Sequence, residues 1–308
     1  MDLTRFCFPR SNSVYLGKPI NAYLKEKAIW QIIYLSTLLT SKWLRFRGDY
    51  PQYNLINLSV KKLAIFLGIP QETSQHLQYH VLRYYLIEAM IVRNADKLVD
   101  PAFFFPFSFS NLKNDLINHS EHGSKIILIN HIAGFTLLIN LIVAVALNSM
   151  NQDILILYGI ANIDLINKIK SNWIQSSKLH FVLGDRNGLI SLKSYLRHGA
   201  WLIALIDIPQ DLGAQECQPI MFIRDQLYFK TGILRLSAAF NLPILSIVHY
   251  LDSFGIVYKL CPIIRVDKFD LQCSEKQKQI LESLFAPIAE VISKYPEQWF
   301  LWHKVSTT

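Results

Sequence analysis

An α/β fold with a mostly parallel central sheet flanked by helices, and an N-terminal helical extension, is what this 308-residue sequence predicts. Three observations predict it. Residues 126–129, 154–157, 180–183, 202–206 and 244–248 are short, almost wholly apolar runs of strand length, separated by helix-length stretches such as 134–150 and 189–197. Strands covered on both faces lose the in–out alternation of a half-exposed sheet, and alternation with helices implies parallel crossovers. The run from Trp201 to Ile206 ends on Asp207, and farther on Thr231–Gly232 opens an apolar helix. Open α/β sheets place charged groups in this way, at the carboxyl ends of their strands. Finally, the chain is 51% hydrophobic with only 12 glycines and 12 prolines, enough to bury a large core and unlike a disordered chain.

The elements follow in order. Residues 1–50 are basic and aromatic and read as the extension. Within them the uncharged stretch 28–40, framed by Lys25, Lys27, Lys42, Arg45 and Arg47, is shorter than the ~20 residues of a membrane span. Two readings stay open for it: an interfacial helix whose basic ends meet anionic headgroups, giving peripheral membrane contact, or an ordinary packed helix. The start, Met1 to Cys7, lacks the basic-then-apolar pattern of a signal peptide. Residues 51–308 read as one α/β domain. Its helical lead-in, 55–120, has apolar positions at helical spacing in 58–67 and 81–87, interrupted by Gly68-Ile69-Pro70. Pro101 and Pro106 predict that the aromatic stretch 100–109 is a non-helical connection, buried or lipid-facing. The sheet core spans 124–305, and no internal repeat interrupts it.

A formal charge of +8 and a pI near 9.2 suit an anionic lipid, an acidic carrier protein or a nucleotide-bearing thioester, or simply a solvated basic surface. The basic residues are scattered rather than massed in runs with interleaved aromatics, which argues against nucleic acid. Cys7, Cys217, Cys261 and Cys273 lie far apart without Cys-x-x-Cys spacing. That suggests neither a metal site nor a disulfide framework, and a reducing, cytoplasmic setting is the expectation.

His131 leaves the first strand just before Gly134 and a long apolar helix. It reads as a general base in the crevice or as a histidine capping that helix. Asp207 occupies the matching place at the end of a later strand, with Asp211 four residues on. Asp185–Arg186 follows the strand 180–183; Arg186 could grip a phosphate or carboxylate in bidentate fashion, or pair with Asp185 or Asp207. Thr231–Gly232 could offer backbone N–H groups to an anion or act as a plain N-cap. Gly-x-Ser-x-Gly is absent and no cysteine adjoins a histidine, which disfavours a covalent acyl-enzyme. Cys217 is the cysteine nearest the expected site.

In order and spacing, these residues resemble a known family. His131, Gly184-Asp185-Arg186 with Leu192-Lys193, Arg197-His198-Gly199, Asp207 with Asp211, Met221-Phe222-Ile223, Thr231-Gly232 and the closing run from Tyr295-Pro296-Glu297-Gln298-Trp299 to Trp302-His303-Lys304 are similar to the late (lauroyl/myristoyl) acyltransferases of lipid A biosynthesis, within the lysophospholipid acyltransferase-like superfamily. The resemblance covers roughly residues 55 to 305, and its closing run is the most specific part. It implies a glycerolipid acyltransferase-like fold and transfer of a fatty acyl group from an acyl-carrier-protein or coenzyme A thioester to a lipid, glycolipid or carrier-bound acceptor. Catalysis would use His131 as base, with no bound cofactor or metal, at the cytoplasmic face of the inner membrane. The chain departs from the family where an acid should stand five residues after the histidine. That residue is Thr136, and no carboxylate follows through Leu147. Asp207 is the expected substitute, because strand-end carboxylates of a parallel sheet share a crevice. The departure keeps two alternatives open: a catalytically silent partner that binds an acyl chain or acyl-carrier protein, and a thioesterase-like hydrolase of a specialised-metabolite pathway.

Overall fold

In a computed structural model, residues 20–47, 53–70, 74–93, 105–118, 124–158, 176–184, 186–211, 214, 216–252 and 255–305 are described. Four helices come first: α1 (Ile20–Arg47), α2 (Tyr53–Leu67), α3 (Ser74–Arg93) and α4 (Pro106–Asn118). The alternating part runs β1 (Ile126–Ile129), α5 (Phe135–Ser149), β2 (Ile154–Tyr158), β3 (Leu179–Leu183), α6 (Arg186–Arg197) and β4 (Trp201–Leu205). A hairpin of β5 (Cys217–Phe222) and β6 (Asp225–Lys230) then leads to α7 (Gly232–Phe240), β7 (Ile244–Asp252), β8 (Gly255–Leu260) and α8 (Ser274–Lys294).

Among the described residues the main sheet has six strands in the order β3-β2-β4-β1-β7-β8. β1 runs parallel to β4 and β7, and β2 parallel to β3 and β4. Only the edge strand β8 is antiparallel, on β7. The fold is thus α/β with a mostly parallel, mixed sheet. All five apolar runs singled out in the sequence are its parallel strands. The chain leaves β1 toward β2 and β3, returns to insert β4 beside β1, and crosses to the other side with β7. The carboxyl ends of β1 and β4 therefore lie side by side at the point where the strand order reverses, the usual place of an α/β crevice.

Both faces of the sheet are covered. Ile126 and Leu128 of β1 join one core with α2, α6, α8 and the hairpin; Ile127 and Ile129 join the other with α1, α4 and α5. Double coverage explains why β1 shows no polar alternation: every residue in it is buried. Helix α5 is enclosed on all sides from Phe135 to Ala146, which is why its sequence is apolar around the whole circumference.

Helix α1, in the region read as an extension, lies against α3, α4 and β8. Trp30 and Glu26 are buried there, and the Arg83 guanidinium of α3 lies 3.1 Å from the centre of the Tyr34 ring. The other side of α1 carries exposed Ile32, Leu35 and Leu39, spaced i, i+3 and i+7 along one stripe.

The stretch around Pro106 corrects an expectation. Residues 101–104 lie outside the described residues, but Pro106 opens α4 instead of breaking a helix. At the first helical position the missing N–H costs nothing, since it has no intrahelical acceptor to lose. A carboxylate from another helix completes this terminus: Glu26 accepts the Ser108 N–H at 3.0 Å and also the Ser108 hydroxyl. The sequence pattern does not mark the hairpin β5–β6, strand β8 or helix α8; β5 has a half-buried to exposed face and β6 a mostly exposed one, so both lack the almost wholly apolar character of the parallel strands.

The contact between α1 and the sheet edge gives a direct test. Gly255 has φ +139, and a Cβ there would sit 2.6 Å from Trp30 Nε1. Gly255→Ala is expected to cost roughly 2–4 kcal/mol in equilibrium denaturation, through backbone strain and a clash with a buried ring. An unchanged unfolding midpoint would show that α1 does not pack on β8 in solution.

Candidate active site

Sheet register places the central pair. Ile129 of β1 faces Leu205 of β4 in parallel pairing. Two residues farther along each strand stand His131 and Asp207, so continuing the register brings them opposite each other. The fully buried Asp207 carboxylate takes three hydrogen bonds: Oδ2 from the His131 backbone N–H at 2.8 Å and from Trp299 Nε1–H at 2.9 Å, and Oδ1 from the His131 ring at Nδ1, 2.8 Å away. A carboxylate only accepts, so the proton sits on Nδ1 and the Nε2 lone pair is left for chemistry. The His131 side chain is 11% exposed. The Phe135 ring lies 5.5 Å from the imidazole, centre to centre, and Phe300 stands behind Phe135, giving the base an apolar wall.

The turn from 131 to 136 is held by groups from four other parts of the chain. The Phe300 N–H donates to the His131 carbonyl, and the Ala133 N–H to the Gln298 carbonyl; Ile132 forms a bridge with Trp299. His249 of β7 donates from Nε2 to the Ile132 carbonyl at 3.1 Å. Glu88 of α3 accepts the N–H of Gly134 at 2.8 Å and of Thr136 at 3.1 Å. Gly134 has φ +89, and an added Cβ would come within 2.9 Å of Leu251, so glycine is required on both counts. The Gln298 amide pairs with both backbone groups of Leu251 at 2.8 Å, tying the 296–300 segment to β7.

Burial dominates the electrostatics here. It pushes the His249 imidazole down to about 4, against the pull of its bond to Ile132 and the charge of Asp207. It pushes the Glu88 carboxyl up, opposed by the N–H donors of Gly134 and Thr136 and by His131.

Those of the remaining sequence-predicted residues whose side chains are described are not drawn into this cluster. Asp185 lies outside the described residues; Arg186 begins α6, and its side chain is likewise outside. Asp211 is exposed. Thr231 is buried at the start of α7, but its N–H and its hydroxyl both go to the Glu216 carbonyl, and Gly232 opens the helix behind it. No hydrogen bond or ion pair among the described residues joins Asp211, Thr231 or Gly232 to His131 or Asp207. Glu216, a further acid in that stretch, is exposed and paired with Arg235. Burial raises the Cys217 thiol, which opposes its use as a thiolate. The His303 ring bonds the Phe300 carbonyl. Among the described residues no group of His, Cys, Asp and Glu could hold a metal ion.

The closing run carries two tryptophans, Trp299 and Trp302. Both are buried, yet Trp299 also orients Asp207, and Gln298 supplies an acceptor to the turn. Glu88 and His249 were not anticipated. Glu88 sits inside an ordinary helical pattern and His249 inside an apolar strand, so only the unusual polarity of a core position marks either one.

No protein-family model matches the chain, and a search of curated proteins finds no match. The chemistry available to the site follows from its geometry: an imidazole with a free Nε2, its tautomer set by a buried carboxylate, beside an apolar wall. Such an imidazole is equipped to take a proton from a hydroxyl, an amine or water.

His249 gives a pH test of this turn. Between pH 6.5 and about 4 the unfolded chain takes up a proton on this imidazole that the folded chain refuses, so stability falls as pH falls across that window. The size is about 3 kcal/mol at most. Glu88 acts in the opposite sense above its unfolded value of 4.5, because the folded protein keeps a proton that the unfolded chain releases. Comparing wild type with His249→Gln, which keeps a donor toward Ile132, isolates the first effect. Urea titrations at pH 7 and pH 4.5 are expected to show a clearly smaller loss of stability on acidification for the variant; parallel curves would contradict a buried, neutral His249.

Proposed function

We propose that this protein is an acyltransferase that moves a fatty acyl group from an acyl-carrier-protein or coenzyme A thioester to a hydroxyl or amine of a lipid, glycolipid or carrier-bound acceptor, on a glycerolipid acyltransferase-like fold. The observation that carries the reading is the bond between Asp207 and Nδ1 of His131. It supplies from β4 the orienting acid that is missing at Thr136, and so supports an enzyme over a silent partner.

In the proposed reaction His131 Nε2 takes the acceptor's proton as the oxygen or nitrogen attacks the thioester carbonyl carbon. Asp207 holds the imidazole in the useful tautomer and stabilises the imidazolium. Collapse of the tetrahedral intermediate breaks the C–S bond, and the imidazolium returns the proton to the departing thiolate. Atoms and charges balance with no covalent enzyme intermediate. If water entered in place of the acceptor, the same steps would release free fatty acid.

The exposed apolar stripe of α1, Ile32, Leu35 and Leu39, supports an apolar or membrane-bound acceptor presented at an interface, with α1 lying on the surface rather than crossing it. No described helix is long and apolar enough to cross a membrane.

Two experiments test this function. Labelled acyl-carrier-protein and acyl-coenzyme A, offered with glycolipid, lysolipid and carrier-bound acceptors, are expected to give acylated product. His131→Ala and Asp207→Asn should lower kcat by roughly 10³–10⁴-fold, the scale seen when an orienting carboxylate is removed from a histidine base. Binding of acyl donor without transfer or hydrolysis, indifferent to both substitutions, would instead favour the silent partner. For the membrane contact, flotation with vesicles containing anionic lipid should retain wild type and lose the Leu35→Asp/Leu39→Asp double variant; equal flotation of both would remove α1 from the account.

A further inference from the structure

Among the described residues Glu88 makes no ion pair, and its buried carboxyl group is aimed at the backbone that carries His131. Its two oxygens are divided between two donors, Gly134 N–H and Thr136 N–H, at the mouth of α5. The first N–H groups of a helix lack intrahelical acceptors and concentrate positive partial charge, so a carboxylate suits this position. Here it arrives from α3, 46 residues earlier in the chain.

The turn between β1 and α5 is thereby clamped by carboxylates at both ends. Asp207 grips the N–H and ring of His131; Glu88 grips Gly134 and Thr136. Between them, His249 and Gln298 hold residues 132 and 133. Removing the Glu88 end leaves two buried N–H groups unpaired and frees α5 to pull the turn away from β4.

We propose that Glu88 is a positioning residue for His131, fixing the turn that aims the imidazole. The proposal rests on the general-base reading above. Because the aim of the base matters as the proton moves, the effect falls on kcat rather than on substrate binding.

Capping alone could account for the geometry, and Glu26 provides the control, since it caps α4, not the helix that follows His131. The experiment compares Glu88→Gln, Glu88→Ala and Glu26→Gln. Gln is nearly isosteric with Glu but must turn an NH₂ toward one of the two N–H donors, so it should fold while breaking the clamp. Measured are kcat and KM for acyl transfer, the unfolding midpoint, and the NMR signal of the His131 Nδ1 proton. Glu88→Gln is expected to lower kcat about 10- to 100-fold, the scale of a misplaced base, with KM within about threefold, and to shift or broaden the ring-proton signal. Glu26→Gln should lose stability without a change in kcat per folded molecule. If Glu88→Gln and Glu88→Ala keep kcat within about twofold of wild type and leave the ring-proton signal in place, Glu88 is only a cap and the proposal falls. If wild type shows no turnover with any acceptor, the acyltransferase reading fails separately; the ring-proton signal then decides, its loss in Glu88→Gln supporting the positioning role and its persistence overturning it.

Discussion

Everything at this site depends on the three hydrogen bonds taken by Asp207. A carboxylate with no exposed surface is costly unless its lone pairs are met, and here the donors come from three distinct constraints. The His131 backbone N–H reports that β1 and β4 are in register. The His131 ring reports that the side chain faces along the crevice. The Trp299 indole reports that the C-terminal segment has closed over the strand ends. If any of the three fails, a buried charge loses a partner, so strand pairing, side-chain orientation and chain closure are coupled through a single group. The same bond that stabilises this arrangement selects the imidazole tautomer that leaves Nε2 free.

Two glutamates extend the pattern. Glu26 meets the first turn of α4, and Glu88 that of α5. Both helices begin without a side-chain cap of their own: α4 opens on proline and α5 follows a left-handed glycine with no capping bond. The first turns of both are buried, at Ser108 in α4 and at Gly134 and Thr136 in α5, so these N–H groups cannot turn to water. The donors must be met from elsewhere in the chain, and a carboxylate on a neighbouring helix meets two at once. Such buried acids are retained because the buried N–H groups have no alternative partner, and the helix end's partial positive charge offsets part of their desolvation.

The closing segment illustrates how one short stretch can act on several elements. Gln298 completes the backbone of β7 at Leu251 and accepts from Ala133 through its own carbonyl. Trp299 reaches Asp207, Phe300 bonds His131 from its N–H, and Tyr85 of α3 donates to the Phe300 carbonyl at 3.0 Å. Trp302 folds back on Pro296, and Lys62 of α2 reaches the carbonyls of His303 and Val305. The run therefore works as a strap across the carboxyl end of the sheet. Its signature residues hold the backbone and side chains around His131 and Asp207 in place.

Local pattern along the chain accounts for much of the sheet and for one buried helix. Five almost wholly apolar runs specified the five parallel strands, since a strand covered on both faces admits few polar residues. The long apolar stretch after Gly134 specified a buried helix. A histidine and an aspartate each at a strand exit specified a crevice pair, because parallel strands end on the same side. Which strands are neighbours was not readable. β4 lies beside β1 although β2 and β3 come between them in the chain, and the contact of Asp207 with His131 depends on that insertion. The capping of α5 by Glu88, the orienting bond from Trp299 and the neutral His249 were settled only by tertiary structure. Each joins residues 46 to 117 positions apart, and each is enforced by burial: a polar group removed from water must find its partner wherever the packed chain brings one. Local periodicity holds no record of that demand.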